Sequence, residues 1–277
     1  MKKKRQGVIP GFGISMGVTL TMLSIVVLIP MISLVVFTMK MSVKDIIEVI
    51  TRERVLASFR VSLQTAFVAS LINAVMGLIL AWVLVRYDFK GKKIMDGMIE
   101  LPFAMPTAVA GIALTSLTSD QGMVGKFFAN FGIKIAYTKI GITVAMVFVG
   151  LPFVVRAIQP VLEKLDGSYE EAATVLGAGR IKTFWQVIFP EVVPSMATGF
   201  GLAFGRCLGE YGSVVFIAGN KPYETEIVPL VIMSKLQEFD YSSATAIALV
   251  MLIISFLILF IVNLIQARNT KIIKGGR

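Results

Sequence analysis

Three runs in this chain carry no charged side chain: Ile14–Phe37, Val61–Val85 and Ser242–Gln266. A helix needs roughly 20 apolar residues to cross a hydrocarbon layer about 30 Å thick. Inside that layer the backbone must satisfy its own hydrogen bonds, which leaves a helix or a closed barrel. Continuous apolar runs of this length fit the helix. Three further runs, Ile94–Thr118, Ile140–Leu162 and Pro194–Ala218, have the length but are interrupted by charged residues, Gly or Pro. The expectation is an all-α integral membrane protein with six transmembrane helices.

Composition agrees. The 277 residues are 56% hydrophobic and 16% charged, against about 45–50% and about 25% in soluble domains. No polar stretch is long enough for a soluble domain, so residues 1–277 read as one transmembrane domain. Histidine is absent and Cys207 is the only cysteine. That excludes an intramolecular disulfide, the usual soft metal sites and Cys/His catalytic pairs, so no metal or cofactor bound by this chain is expected. The net charge of +10 reads as topological, not as a sign of nucleic acid. Fifteen Lys and Arg fall on the side of the N-terminus, including Lys2, Lys3, Lys4 and Arg5, and ten on the other. That bias puts both termini in the cytoplasm. The basic start imitates a signal peptide, but the apolar run exceeds the usual length of about 7–15 residues and no small-x-small site follows. It reads as a retained first span. The basic cluster from Lys40 to Arg60 also holds Asp45, Glu48 and Glu53, and reads as an amphipathic segment at the outer surface.

Between the fourth and fifth runs lies a charged cytoplasmic loop, at about 163–192. Ser168 and Glu171 have the spacing of a capping box, and Glu170 and Glu171 suit the positive end of a helix. Gly177 and Gly179 end that helix. Ile181, Phe184, Trp185 and Ile188 then follow helical spacing on one face of a second short helix, and Pro190 and Pro194 mark re-entry into the membrane. Physics alone allows a docking element or a plain interfacial connector with Trp185 in the aromatic belt.

The same loop resembles the EAA loop of bacterial ABC importer permeases. Glu171-Ala172-Ala173, three residues, Gly177, nine residues and Val187-Ile188-Phe189-Pro190 keep that family's spacing throughout. Val187 and Phe189 depart from its Ile and Leu but stay apolar. The segments Leu101–Gly111 and Arg206–Asn220 are similar to sulfate and molybdate permeases, and Asn220–Leu230 is most similar to T-type permease subunits of sulfate/thiosulfate importers. The resemblance implies a type I ABC importer fold in the cell inner membrane. It further implies two ATP-binding subunits, a second homologous permease subunit and a periplasmic sulfate-binding protein. ATP would be used by the partner ATPase, with Glu171, Ala172, Ala173, Gly177 and Pro190 in the coupling element. Molybdate is the alternative substrate. The chain has no Walker A motif, so the motor must be another polypeptide.

Polar residues within the runs are candidates for the path. Arg206 and Glu210 are four residues apart on one helical face. Arg206 would stand roughly 18 Å beyond Pro194 at about 1.5 Å per residue. Either the pair locks packing, or Arg206, Glu210 and Ser213 line the translocation path. Arg before Glu is the less favourable order, so close pairing is not assured. Gly201, Gly205 and Gly209 form a ridge suited to close helix contact. Pro102, Pro106, Pro152 and Pro160 read as kinks. Asp96 and Glu100 are expected near the cytoplasmic mouth, offset by Lys92 and Lys93. An ion-driven secondary transporter would show inverted repeats, and none is evident. A membrane enzyme would need a convergent acid–nucleophile set, and the chain has none.

Overall fold

The computed structural model describes residues 12–275; Lys2, Lys3, Lys4, Arg5 and Arg277 lie outside them. Twelve helices follow in order: α1 (Phe12–Thr38), α2 (Val43–Thr51), α3 (Glu53–Arg86), α4 (Lys92–Ala104), α5 (Thr107–Thr118), α6 (Met123–Ala129), α7 (Lys139–Lys164), α8 (Ser168–Val175), α9 (Arg180–Leu208), α10 (Val214–Ile217), α11 (Val228–Gln237) and α12 (Tyr241–Gly275). There is no strand among the described residues. Five helices, α1, α3, α7, α9 and α12, are long and apolar enough to cross a membrane. The sixth expected span is a bent pair: α4 and α5 meet at 114° across Met105–Pro106. Proline disfavours helical backbone in the residue before it, and Met105 is extended at φ −91°, ψ 138°.

Other boundaries move as well. The second span begins at Glu53, not Val61, so the basic cluster divides between α2 and α3. The amphipathic segment is α2, closed by a reciprocal box in which Ser42 Oγ accepts from Asp45 N–H at 3.1 Å and Asp45 accepts from Ser42 N–H at 3.3 Å. The fifth span ends at Leu208, not Ala218. It starts at Arg180, because the expected second short helix and the span are one helix of 29 residues. Pro190 does not break it. A π turn at Phe184–Ile188 precedes Pro190, with Phe189 N–H bonded to Phe184 O. This widens the helix where the ring would otherwise meet a carbonyl. The same device, Ser24–Leu28 with Ile29 N–H on Ser24 O, precedes Pro30 in α1.

The bundle centres on α3, α7 and α9. Small residues let their backbones approach. A Cβ on Gly77 of α3 would lie 2.6 Å from Val154 Cγ1 of α7, and one on Gly199 of α9 would lie 2.8 Å from Val154 Cα. The expected glycine ridge is only partly a packing face. Gly201 and Gly205 look toward Val262 and Leu259 of α12, and Gly209 meets nothing within 4 Å. Asn73, fully buried on α3, with its amide oriented to satisfy both partners, donates to Val147 O at 3.1 Å and accepts from Leu151 N–H at 3.3 Å. It thereby bridges the α7 ladder just before Pro152. Ser62 of α3 accepts the Val228 N–H at 2.8 Å, capping α11 from another element.

Gly111 of α5 has no room to give: an added Cβ would sit 2.5 Å from Ser213 O, a backbone atom. Gly111→Ala is expected to destabilise the chain by about 1–3 kcal/mol, as overpacking does. Thermal unfolding in detergent should show this, with Gly97→Ala, which meets nothing within 4 Å, near wild type.

Candidate functional site

The loop after α7 is built from local backbone chemistry. Asp166 Oδ1 accepts the Ser168 N–H at 3.2 Å. Ser168 is already the first residue of α8, so the expected Ser168–Glu171 capping box does not form. Glu170 and Glu171 do occupy the first turn, at the positive end of the helix dipole. The far end closes with paired bonds, Ala178 N–H to Ala173 O and Gly177 N–H to Thr174 O, both 2.9 Å. Gly177 lies between them at φ +78°. This is the Schellman arrangement, with glycine where left-handed backbone is required.

Ala173 faces the protein, while Glu171, Ala172, Gly177 and Pro190 are exposed. The tip of the loop is apolar and open: Val175 is 88% exposed, Leu176 86% and Ile181 78%. The face expected from Ile181, Phe184, Trp185 and Ile188 divides. Ile188 is buried and Phe184 half-buried, whereas Ile181 and Trp185 point outward. Large apolar groups grouped at an exposed turn mark an interaction surface.

One side chain ties this loop to the bundle. Arg86, in the last turn of α3, pairs with Glu170 of α8 at 2.9 Å and donates to Leu165 O at 3.1 Å. Its guanidinium lies 5.7 Å from the Trp82 ring centre. Trp82 in turn meets Phe184 of α9 edge-on at 5.4 Å. The last turn of α3 therefore touches the end of α7, the start of α8 and the start of α9. Nothing in the linear spacing of Arg86 signalled this.

The structure brings Arg206, Glu210 and Ser213 together. Arg206 Nη1 is 2.6 Å from Glu210, which is buried while Arg206 keeps a third of its side chain exposed. Glu210 also accepts the Ser213 N–H at 2.8 Å and its hydroxyl at 2.9 Å. The order rule that made pairing uncertain concerns continuous helices. Here α9 stops at Leu208, and Glu210 sits in the turn beyond it. The carboxylate holds that turn, and the turn seats Gly212 and Ser213 against Thr107 and Gly111 of α5.

Asp96 and Glu100 are not offset by lysines. Lys92 pairs with Asp88 at 2.9 Å. Both acids of α4 reach across to Arg156 of α7, at 2.8 and 2.7 Å. The clue was present: two acids and one arginine in neighbouring apolar runs. Beside them α7 and α9 frame a groove of about 390 Å³, lined by Phe103, Phe153, Arg156, Ser195 and Leu202 among others. At the other end of α3 from Arg86, Arg54 grips the buried Glu226 through Nε and Nη2, at 2.8 and 2.6 Å.

The sequence pattern described as "Binding-protein-dependent transport system inner membrane component" matches residues 73–273. The chain is 48% identical over 268 residues to "Sulfate transport system permease protein CysT" of Salmonella typhimurium, covering 97% of each. It is 46% identical over 256 residues to "Probable sulfate transport system permease protein cysT" of Chlorokybus atmophyticus, covering 92% of this chain and 90% of that one. Its fold is similar to a chain of a bacterial alginate ABC transporter, solved in complex with its alginate pentasaccharide-bound periplasmic protein. The TM-score is 0.76 at 20% identity, covering 93% of this chain and 94% of that chain.

The glycine requirement at the loop is conformational, since a Cβ on Gly177 meets nothing within 4 Å. Gly177→Val is expected to loosen α8 and to weaken amide-exchange protection across residues 168–178. Gly177→Asn, which tolerates left-handed backbone, should keep most of that protection. Equal protection in both variants would contradict this reading.

Proposed function

The chain belongs to the family of binding-protein-dependent transport system inner membrane components, and from that premise we propose that it is the sulfate/thiosulfate-conducting permease subunit of an ATP-driven importer. It is a multi-pass inner-membrane transport subunit. The relatives that support the substrate are named as sulfate permeases and align over nearly the whole chain. In this reading two ATP-binding subunits hydrolyse ATP, a second homologous permease completes the path, and a periplasmic sulfate-binding protein delivers the anion. Both termini and the loop around α8 face the cytoplasm.

The observation that carries the coupling is the exposed apolar tip formed by Val175, Leu176 and Ile181 on a loop whose base is anchored. An ATPase that closes on ATP grips this tip and pulls the loop. Glu171, Ala172, Ala173, Gly177 and Pro190 belong to the element that transmits the pull. Because α8 hangs between the end of α7 and the start of α9, its displacement tilts both. A nucleotide shifts such an equilibrium only by binding the two states differently, so the tip must engage the ATPase differently in each. Within the membrane Arg206 supplies positive potential to an oxyanion. Glu210 keeps that charge compensated, so the anion is not trapped, while Ser213 fixes the carboxylate.

The test is uptake of labelled sulfate into vesicles holding the assembled complex. Uptake should require internal ATP and ignore an imposed ion gradient. Leu176→Asp should abolish co-purification of the ATPase and reduce uptake at least about tenfold, because a charge desolvated in an apolar contact is strongly penalised. Gradient-driven uptake, or wild-type ATPase binding by Leu176→Asp, would refute the proposal.

A further inference from the structure

Arg156 of α7 faces more acid than one cation neutralises, and one of its donors goes unused. Its Nη1 holds Asp96 and Gln159, at 2.8 and 2.5 Å, and its Nη2 holds Glu100 at 2.7 Å. One positive charge thus meets two negative ones. The Nε atom is buried and has no hydrogen-bond partner among the described residues. Arg54 shows a completed pair, with Nε and Nη2 each holding one oxygen of Glu226. On Arg156 the same fork is half used. A buried unmet donor lowers stability, and like charges gathered on one cation repel each other. Arg86 leaves its own Nε unmet as well but faces a single carboxylate, so the second acid is what sets Arg156 apart.

The position adds to this. Arg156 opens onto the groove between α7 and α9, opposite Ser195 and Leu202. It lies eight residues before the end of α7 at Lys164, about 12 Å along the helix at ~1.5 Å per residue. Arg206 follows Leu202 by four residues, so both lie on one face of α9. Arg206 therefore lies one turn beyond Leu202 on the α9 face that lines the groove. The element that occupies Arg156 is short: α4 buries only Ile99, meets Phe153 edge-on through Phe103, and is set off from α5 by the 114° break.

We propose that Arg156 is a second oxyanion-binding point on the path, filled in this conformation by Asp96 and Glu100 as internal stand-ins for a doubly charged tetrahedral anion. The proposal rests on the reading of the chain as an oxyanion permease. A planar guanidinium takes two oxygens of such an anion side-on through Nε and Nη2. The arriving anion displaces Glu100 from Nη2 and satisfies Nε. When α4 returns, its two carboxylates compete for the guanidinium and repel the anion onward. Arg156 is thus open to substrate only while Glu100 is off its Nη2.

The test uses the assembled complex in detergent, with sulfate as probe and chloride at equal ionic strength as control. In Asp96→Asn/Glu100→Gln, saturating sulfate should raise the unfolding midpoint of the chain by about 2–4 °C more than it does in wild type, as a ligand bound only by the folded state would. Adding Arg156→Gln should remove that extra shift, and adding Arg156→Lys should retain part of it. If the double variant does not fold, Glu100→Gln alone, which leaves Asp96 holding α4, is read the same way. A merely structural triad predicts a lower midpoint with no dependence on sulfate. That result, or an extra shift that survives Arg156→Gln, overturns the proposal. ATP-driven sulfate uptake by the wild-type complex is scored separately: its absence would sink the substrate reading, whatever Arg156 does.

Discussion

The contact on which the rest of the bundle depends is the pinch around Val154. Gly77 of α3 and Gly199 of α9 each bring backbone against this one residue of α7, leaving no space for a methyl group. Between helices surrounded by lipid, burial of apolar surface supplies little net drive, so close dispersion contact and buried hydrogen bonds must hold the bundle. Asn73 adds what glycine cannot, a register. Its amide fits only beside the Val147–Leu151 step of α7, where Gly150 leaves room for it. The α3–α7–α9 unit is therefore fixed both in distance and in sliding position. The remaining helices attach to it more loosely, α1 so much so that none of its side chains before Thr38 is buried.

Charged side chains mark where elements join, not where each is stabilised alone. Arg54 joins α3 to the segment before α11, Arg86 joins α3 to α8, and Arg156 joins α7 to α4. Glu210 joins the end of α9 to the turn that meets α5. Apolar faces of neighbouring helices are nearly interchangeable, whereas a half-buried ion pair tolerates few arrangements. A pair removed from water gains little net stability, but breaking it leaves an uncompensated charge. Such pairs select one arrangement from several of similar apolar packing. Equally, they are the contacts that a competing charge can exchange.

Much of this was legible in the chain. Uncharged runs of membrane length located α1, α3 and α12, and the glycine spacing near Gly177 located a turn whose left-handed backbone is in the structure. The errors share one cause: a pattern read along a line does not report what another element supplies. Ser168 and Glu171 have capping spacing, but Asp166 satisfies the first N–H instead. Pro190 looked like a boundary because the π turn that absorbs it has no sequence signature of its own. Pro106 looked like a kink within a span, yet Met105 turns out extended and the helix separates. Nearness in sequence points Asp96 and Glu100 to Lys92 and Lys93, while their partner, Arg156, is about sixty residues away. The order preference for Arg206 and Glu210 holds for unbroken helices, and the helix ends between them.

The geometry also limits how movement at the loop can reach the groove. The loop has no flexible tether to absorb a displacement, since α7 ends at Lys164 and α8 begins at Ser168. Arg86 fastens the same point to α3. A pull on α8 therefore acts on α3, α7 and α9 near their loop ends together, and the Val154 pinch forces the three to move as a body. What can change is the position of that body relative to the elements packed around it. The nearest of these along α7 is α4, attached at Arg156 within about two to three turns of the loop at 3.6 residues per turn. If the rigid unit rotates relative to α4, the Arg156 contacts are strained together with the buried Ile99 and the Phe103–Phe153 ring contact beside them. The ion pairs are the weaker part of that seam: close-packed interiors resist shear, and a half-exposed salt bridge is worth at most about 1 kcal/mol to the contact it closes.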